Sequence, residues 1–276
     1  MIFTDQLNEI ISLENYPKRI ISLVPSQTEL LFDLGLAENI VGITKFCIHP
    51  KEQIKNNSYI KKIGGTKNFN FEQIKALSPD LIIGNKEENY ETGILELKKQ
   101  NPDCPVFMTD IYDLNDALQM IKSIGNITNT TEKATNICTE ISKEFAFFSE
   151  NFSENISKNS IEKKQKVAYF IWNKPMMIAT TNTFIDSMLR LIGFENAFSD
   201  LVRYPCVSEQ DVIMANPDVI FLSSEPFPFK EKHISYFKSI CPNAKIQIVD
   251  GEFFSWYGSR LRHAGGYFRE LVANTF

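Results

Sequence analysis

Short apolar runs alternate with amphipathic stretches through the first 110 residues of the chain. The runs are KRIISLV, NIVGITK, DLIIG and PVFMTD, and helical patterns separate them. This alternation is typical of a parallel sheet with helices on both faces. A second series of runs comes later in the chain and consists of KVAYFIW, MMIATT, DVIFLSS and IQIVDG. The pattern therefore predicts an α/β protein with two lobes of β-α repeats.

A long apolar stripe separates the two series. Its members recur every three or four positions and are Ala134, Ile137, Ile141, Phe145, Phe148, Phe152 and Ile156. Because no glycine or proline interrupts the stretch, the spacing predicts one helix from Thr131 to Ile156, about 40 Å long at ~1.5 Å per residue. We therefore expect an N-terminal lobe over 1–130, a connecting helix over 131–158 and a C-terminal lobe over 159–276.

Two segments recur in the same order in both lobes. LFDLGLAEN, from residue 31, resembles LRLIGFEN, from residue 189. EQIKALSPDLII, from residue 72, resembles QDVIMANPDVIF, from residue 210. In the second pair, a proline ends a short helix and a buried strand follows. Two matches in one order favour an internally duplicated, two-lobed protein.

The net charge and the cysteines indicate which partners are excluded and which cellular compartment is favoured. The net charge is -5, so no basic field attracts nucleic acid or anionic lipid. The five cysteines form no CxxC motif, which favours free thiols in a reducing compartment. The first residues contain acids and no secretory pattern, and no apolar run is long enough to insert into a membrane. We expect a cytoplasmic protein, or a periplasmic or surface-associated one if a leader has been removed.

The first strand leads directly into a turn and a helix. The turn contains no glycine and no phosphate-loop motif, but Ser26-Gln27-Thr28-Glu29 matches a capping box. In one interpretation, Ser26 caps the helix and Glu29 reaches back to it. In the other, this helix start faces a ligand.

Ligands of parallel sheets bind beyond the carboxyl ends of the strands. Aromatic and polar side chains that follow the predicted strands would suit a flat, bulky ligand. The candidates are Ser26, Gln27, Phe46, Lys67, Asn85, Glu88, Trp172, Tyr204, Glu252, Phe253, Phe254, Trp256, Tyr257 and Arg260.

The last of these loops is the richest in aromatic residues, and it has two interpretations. Phe253 and Phe254 could close the core while Ser259 caps the terminal helix. Alternatively, Trp256 and Tyr257 lie against a ligand and Arg260 pairs with an anionic substituent.

Cys47 and His49 have side chains of the types that ligate zinc or a soft metal, and His263, Glu252 or Cys206 could supply a further ligand. A buried Cys47 without a metal is the alternative. The sequence contains no hydrolase elbow, HExxH or phosphate-loop motif. One hypothesis for the function is an intracellular metal-handling factor or metal-dependent enzyme that uses Cys47, His49 and His263.

PKRIISLVPSQTELLFDLGL, followed by IVGITKFCIHP, the PDLII strand and the long helix, resembles the helical-backbone substrate-binding proteins of bacterial ABC importers. Those proteins bind cobalamin, ferric siderophores or haem. The resemblance implies two α/β lobes joined by one helix, a ligand held between the lobes and no enzymatic activity. It implies no required cofactor, the bound corrinoid, haem or ferric chelate being the ligand. GGTKN, NKEEN and FSWYGSR are similar to a branch without an export signal.

The resemblance also implies roles for individual residues. In cobalamin-binding members, the aromatic contacts correspond to Phe46 and Tyr204, and the residues of the last loop correspond to Glu252, Phe253 and Phe254. Asn85 stands where those members have a tryptophan.

Members dock on an ABC permease through one glutamate in each lobe. Glu72 matches the first glutamate. The second position is Gln210, with Glu209 one place away.

Overall fold

Two compact units make up the chain. The computed structural model describes residues 1–157 and 164–275, and of 149–157 it describes the backbone alone. Unit 1 comprises Met1–Ile111, Asn115–Glu140 and Tyr257–Arg260. Unit 2 comprises Tyr112–Leu114, Ile141–Trp256 and Leu261–Phe276. The predicted boundary at 158/159 lies outside the described residues.

Unit 1 is built on a five-stranded parallel sheet in the order β5-β4-β3-β8-β9. A β1-β2 hairpin and a β6-β7 hairpin accompany it. The strands are β1 (Ile2–Thr4), β2 (Ile10–Ser12), β3 (Ile20–Ser22), β4 (Ile40–Ile43), β5 (Lys61–Lys62), β6 (Gly64–Gly65), β7 (Asn68–Phe69), β8 (Leu81–Asn85) and β9 (Val106–Thr109). The helices are α1 (Pro25–Asp33), α2 (Lys51–Asn56), α3 (Phe71–Ala76), α4 (Glu91–Gln100) and α5 (Leu114–Ile127), with a 3₁₀ turn at Ala37–Asn39.

Strands β3 and β8 are buried along their whole length. One face of the sheet packs Ile21, Val41, Ile82 and Val106 into a core that also includes Leu97 of α4. Burial of each large aliphatic side chain stabilises the unit by about 1.5–3 kcal/mol before entropy is counted. Continuous apolar strands of this kind are typical of parallel sheets, which are covered on both faces.

Unit 2 is built on a five-stranded mixed sheet. Its path is β11-β10-β13-β14, with β12 paired to β10, and only the β10-β11 pair is antiparallel. The strands are β10 (Lys166–Trp172), β11 (Met177–Ala179), β12 (Glu195–Asn196), β13 (Val219–Ser223) and β14 (Lys245–Val249). The helices are α7 (Phe184–Leu191), α8 (Glu209–Ala215), α9 (Glu231–Ile240), α10 (Gly251–Ser255) and α11 (Leu261–Thr275). The predicted α/β fold with β-α repeats in each half is confirmed.

The long helix, α6, runs unbroken over Thr131–Ser157, as the spacing predicts. The predicted stripe is buried from Ala134 to Phe148. Phe145 and Phe148 pack on Phe268 of α11, with ring centroids 6.2 and 6.5 Å away. The predicted stripe members Phe152 and Ile156 have side chains outside the described residues.

All five cysteines are free thiols, as predicted, and of these only Cys206 is exposed. Within the described parts of the chain, no helix combines the length and apolarity that a membrane span requires.

Candidate ligand-binding site

A buried polar network occupies the carboxyl ends of β8 and β9 in unit 1. Asn85 donates its side-chain N–H to Thr109 Oγ1 at 3.0 Å, and Gln27 donates to the same hydroxyl. The Asn85 side-chain oxygen accepts from the backbone N–H groups of Glu87 and Glu88 at 2.9 and 3.1 Å. Asn85 and Gln27 are both almost fully buried. Asn85, predicted to contact a ligand, therefore stabilises the loop that carries Glu88.

The predicted capping box does not form. Helix α1 has Val24 at its N-cap and Pro25 at its first position, and no side chain caps it. Proline suits the first helical position because it has no N–H to leave unpaired. Ser26 therefore lies inside the helix, and its buried hydroxyl has no hydrogen-bond partner among the described residues. Glu29 does not reach back to it, because an arginine binds its carboxylate.

That arginine is Arg260, which one interpretation of the sequence predicted to pair with an anionic substituent of a ligand. Its guanidinium donates from Nε and Nη2 to the two carboxylate oxygens of Glu29, at 2.9 and 2.7 Å. Burial raises the pKa of Glu29, and attraction to Arg260 opposes this rise. The loop also approaches α1 closely at Gly258, where an added methyl group would lie 2.5 Å from the Ser26 carbonyl oxygen. Arg260 is thus committed to a pair within unit 1.

Phe46 follows β4 and is the most open aromatic candidate, with half of its surface exposed (50%). The Lys45 ammonium lies 5.0 Å from its ring centroid. A glycine at position 65 lets the ring approach the β6-β7 hairpin, since an added methyl group there would lie 3.2 Å from Phe46 Cε2. Lys67, on the same hairpin, is exposed. Phe46 and Lys67 are therefore open to a ligand.

Cys47 is fully buried and contacts two threonine hydroxyls, those of Thr28 at 3.1 Å and Thr44 at 3.2 Å. Burial raises the pKa of its thiol, which disfavours the thiolate that a metal requires. Nowhere in the described residues does a group of three or more His, Cys, Asp or Glu side chains form a metal site. Cys47 is therefore buried, as the alternative interpretation expected, and a metal site of Cys47, His49 and His263 stays a prediction.

In unit 2, Trp172 ends β10 and keeps 40% of its surface exposed. Its indole N–H donates to the carbonyl of Lys174 at 3.1 Å, and Phe227 contacts its ring edge-to-face at 5.6 Å. Tyr204 is half-buried, with the Arg203 guanidinium 5.6 Å from its ring. Trp172 is therefore held in a defined orientation with a face left open.

The last loop is mostly committed to protein contacts. Trp256 is buried and donates its indole N–H to Glu225 Oε1 at 2.8 Å, and Ser255 donates to the same oxygen at 2.8 Å. Burial is the main cause that raises the pKa of Glu225, and the neighbouring acids Glu252 and Asp250 add to the rise.

Of the two phenylalanines that one interpretation placed in the core, Phe254 is buried and Phe253 is half-buried. Phe254 is fully buried against Tyr169 and Phe268. Phe253 stacks on Tyr267 with centroids 4.8 Å apart. Tyr257 is also buried. The residues of this loop that retain partial exposure are Glu252, Phe253, Ser255 and Arg260.

The sequence did not predict two side-chain contacts of this loop. Glu225 accepts a hydrogen bond from Trp256, and Glu29 pairs with Arg260. Glu29 and Arg260 lie 231 positions apart, so no local pattern links them.

Most of the chain matches one known protein family. The sequence model of a family described as "Periplasmic binding protein" matches residues 20–239. The chain belongs to the periplasmic binding protein family.

Relatives of this family member agree with that assignment. An ABC transporter substrate-binding lipoprotein of Bacillus subtilis (strain 168) is 28% identical over 222 residues, 78% of this chain and 67% of that protein. A vitamin B12-binding protein of Pectobacterium carotovorum (strain PC1) is 25% identical over 248 residues, 89% and 84% of the two chains. A solved structure of a possible iron-binding (periplasmic solute-binding) protein from Staphylococcus epidermidis has a TM-score of 0.74 at 25% identity and covers 93% and 98%.

The cytoplasmic location expected from the first residues is wrong. The family is one of periplasmic binding proteins, and the Bacillus relative is a lipoprotein. The absence of a secretory pattern at the start of the given sequence was therefore a misleading guide to compartment.

The two glutamates that the sequence predicts as docking residues, Glu72 and Glu209, both lie in the first turn of a helix. Glu72 is exposed on α3, which begins after an Asn70 cap. Glu209 is exposed on α8, whose Ser208 cap exchanges hydrogen bonds with Asp211. Tyr236 donates its hydroxyl to Glu209 Oε1 at 2.6 Å. Burial and this hydrogen bond raise the pKa of Tyr236 to about 12, so the hydroxyl keeps its proton at neutral pH.

Proposed function

We propose that the chain is the substrate-binding component of an ABC-type uptake system. Its ligand is a metal chelate or tetrapyrrole-like molecule of the cobalamin, ferric siderophore or haem class. Family membership supports the binding role, and the vitamin B12-binding and substrate-binding lipoprotein relatives support the ligand class and the transport role. The protein acts by binding and not by catalysis, and the corrinoid, haem or ferric chelate is its cargo.

The observation that carries this proposal is an open aromatic ring at the carboxyl end of a strand in each unit. Phe46 follows β4 in unit 1 and Trp172 ends β10 in unit 2, with 50% and 40% of their surfaces exposed. Large, half-exposed aromatic side chains at strand ends are a typical means of binding a flat ring system. Each such stacking contact contributes about 0.5–1.5 kcal/mol beyond its buried area.

Visible absorption titration tests the proposal. Purified protein is titrated with cyanocobalamin, hemin and a ferric siderophore, and one of these classes should give a saturable spectral change at 1:1 stoichiometry. Phe46→Ala and Trp172→Ala should each weaken that binding by roughly five- to twentyfold, since each removes a stacking surface. Leu95→Ala is the matched control, because Leu95 is an apolar side chain of α4 with 58% of its surface exposed.

Two negative results have separate meanings. Failure of all three ligand classes to saturate the protein would reject the ligand class. Saturable binding that neither aromatic substitution weakens would reject Phe46 and Trp172 as the contacts while leaving the binding role in place.

We also propose that an ABC permease docks on Glu72 and Glu209. Both carboxylates are exposed at helix starts, where they are accessible to cationic side chains of a partner. Glu72→Ala and Glu209→Ala should weaken docking to the permease in lipid nanodiscs without changing ligand affinity. Glu91→Ala, an exposed glutamate in the first turn of α4, is the control. Docking unchanged in both variants would contradict this assignment.

A further inference from the structure

A cavity lies within unit 2, and Glu209, one of the two proposed permease contacts, is among its lining residues. Its volume is about 480 Å³, within the range of small-molecule sites. The turn after β10, the start of α8 and the first turns of α9 form its walls. The lining residues are Asn173, Lys174, Pro175, Met176, Glu209, Lys232, His233 and Tyr236.

Two lysines give this cavity its charge. Within the described residues, neither Lys174 nor Lys232 has an ion pair or a side-chain hydrogen bond, although the protein as a whole carries a net charge of -5. The cavity also adjoins the N-terminal end of the ten-residue helix α9, where the backbone contributes partial positive charge. Two ammonium groups beside a helix N-terminus favour an anion, and they outnumber the one carboxylate in the lining, that of Glu209.

His233 adds a ring nitrogen. Its Nδ1 faces the backbone of Lys230, with the N–H at 2.8 Å and the carbonyl oxygen at 3.1 Å, and in the tautomer that accepts from this N–H the proton lies on Nε2. The rings of Phe227 and Phe229 contact the imidazole edge-to-face, each with centroids 5.4 Å away. These contacts fix the ring plane, and Nε2 is the nitrogen left to bind a ligand.

The carboxylate that lines the cavity is held by a tyrosine. Glu209 Oε1 accepts the Tyr236 hydroxyl at 2.6 Å, and that hydroxyl also lies 3.7 Å from Met176 Sδ. The Tyr236 ring, Pro175 and Met176 supply an apolar wall. The cavity thus combines two cations and a neutral donor with apolar surface, against one hydrogen-bonded carboxylate.

We infer that this cavity is a second binding site, for a small molecule that carries an oxyanion. The oxyanion is bound by Lys174, Lys232 and His233. The carbon skeleton contacts the apolar wall formed by Pro175, Met176 and the Tyr236 ring. The oxyanion belongs to a carboxylate or to a phosphate, and both present several acceptors to ammonium and imidazole donors. This inference does not rest on the proposed cargo, because no metal chelate takes part in it, although the cavity shares Glu209 with the proposed docking surface and its turn contacts Trp172.

Titration calorimetry with inorganic phosphate and with citrate, each at constant ionic strength balanced by chloride, tests the site. At least one of the two anions should bind saturably, and their relative affinities distinguish a phosphate from a carboxylate site. Tryptophan fluorescence gives an independent signal, because the Trp172 indole donates to the Lys174 carbonyl at 3.1 Å.

Variants locate the site. The double variant Lys174→Gln/Lys232→Gln should weaken anion binding about tenfold, since it removes two exposed charges from an ionic contact. The matched control, Lys51→Gln/Lys55→Gln on α2, makes the same change in net charge and should bind as the natural protein does. Glu209→Gln should strengthen binding about threefold, because it removes a repelling carboxylate.

Three results would overturn the inference. The first is heat and fluorescence changes no larger than those that chloride gives. The second is equal weakening in the α2 control, which would mean that the field of the whole protein is responsible. The third is a Lys174→Gln/Lys232→Gln protein of unchanged circular dichroism that binds both anions with undiminished affinity.

Discussion

The guanidinium of Arg260 and the carboxylate of Glu29 form two parallel hydrogen bonds, of 2.9 and 2.7 Å, across 231 positions of sequence. Both side chains are mostly buried, at 15% and 16% exposure. The pKa of Glu29 is raised because burial of the carboxylate outweighs its attraction to Arg260. The pair therefore specifies where Tyr257–Arg260 rests on α1 more than it adds net stability.

A double-mutant cycle on this pair should be strongly non-additive. Glu29→Met or Arg260→Met alone leaves a mostly buried charge without its partner and should lower the free energy of unfolding by about 2–4 kcal/mol. Glu29→Met/Arg260→Met removes both charges and should come within ~1 kcal/mol of the natural protein. Urea denaturation measures all four proteins. Additive losses would show that the two side chains act independently.

Glu225→Gln should stabilise the protein at neutral pH. Burial raises the pKa of Glu225 above 4.5, so the folded protein binds this proton more tightly than the unfolded chain does. Its contribution to stability is therefore full below pH 4.5 and is lost as pH rises through the folded-state pKa. Glutamine keeps an acceptor for Ser255 and Trp256 without that loss. The advantage of Glu225→Gln, measured by urea denaturation, should grow from pH 4.5 to pH 7.5, and a constant difference would refute the cause given.

Two glycines should respond in opposite ways to alanine. At Gly258 the added methyl would lie 2.5 Å from the Ser26 carbonyl oxygen, and we expect a loss of about 1–3 kcal/mol in unfolding free energy. At Gly266, inside α11, the nearest atom would be Arg269 Nη2 at 3.8 Å. Alanine there should be neutral or stabilise by up to ~1 kcal/mol. Thermal unfolding followed by circular dichroism compares the two, and equal effects would contradict the close approach at Gly258.

One cysteine should react quickly with a thiol reagent. Cys206 is exposed, whereas Cys47, Cys104, Cys138 and Cys241 are buried. Burial raises the pKa of Cys104 to about 12 and also raises the pKa of Cys47, so the thiolate form is scarce at both. Ellman's reagent at pH 8 should modify about one thiol rapidly and five after unfolding in urea. Cys206→Ser should abolish the rapid phase, and a rapid phase that survives would place a second thiol at the surface.

Local patterns predicted the fold well and the site less well. The apolar runs and the Ala134–Phe148 stripe each depend on residues near one another in sequence. They correctly predicted the long helix and the parallel strands, except that the run MMIATT forms the antiparallel strand β11. The capping box failed although its spacing is right, because Pro25 takes the first helical position and shifts the cap to Val24.

Side-chain roles in the last loop depended on partners that sequence spacing does not reveal. Trp256 donates a hydrogen bond to Glu225, 31 positions away, and Arg260 donates to Glu29. Phe46 and Trp172 remain candidates because their neighbours leave the rings open, which is also a property of the folded chain alone.

The assignment of Tyr257–Arg260 to unit 1 has a practical consequence for dissecting the protein. A fragment that ends at residue 140 would lack four residues of its own folding unit and would retain a buried acid at position 29 with no counter-ion. Cutting the chain once therefore cannot yield both halves intact. Isolated halves would need the 257–260 peptide grafted onto the first and replaced by a neutral linker in the second.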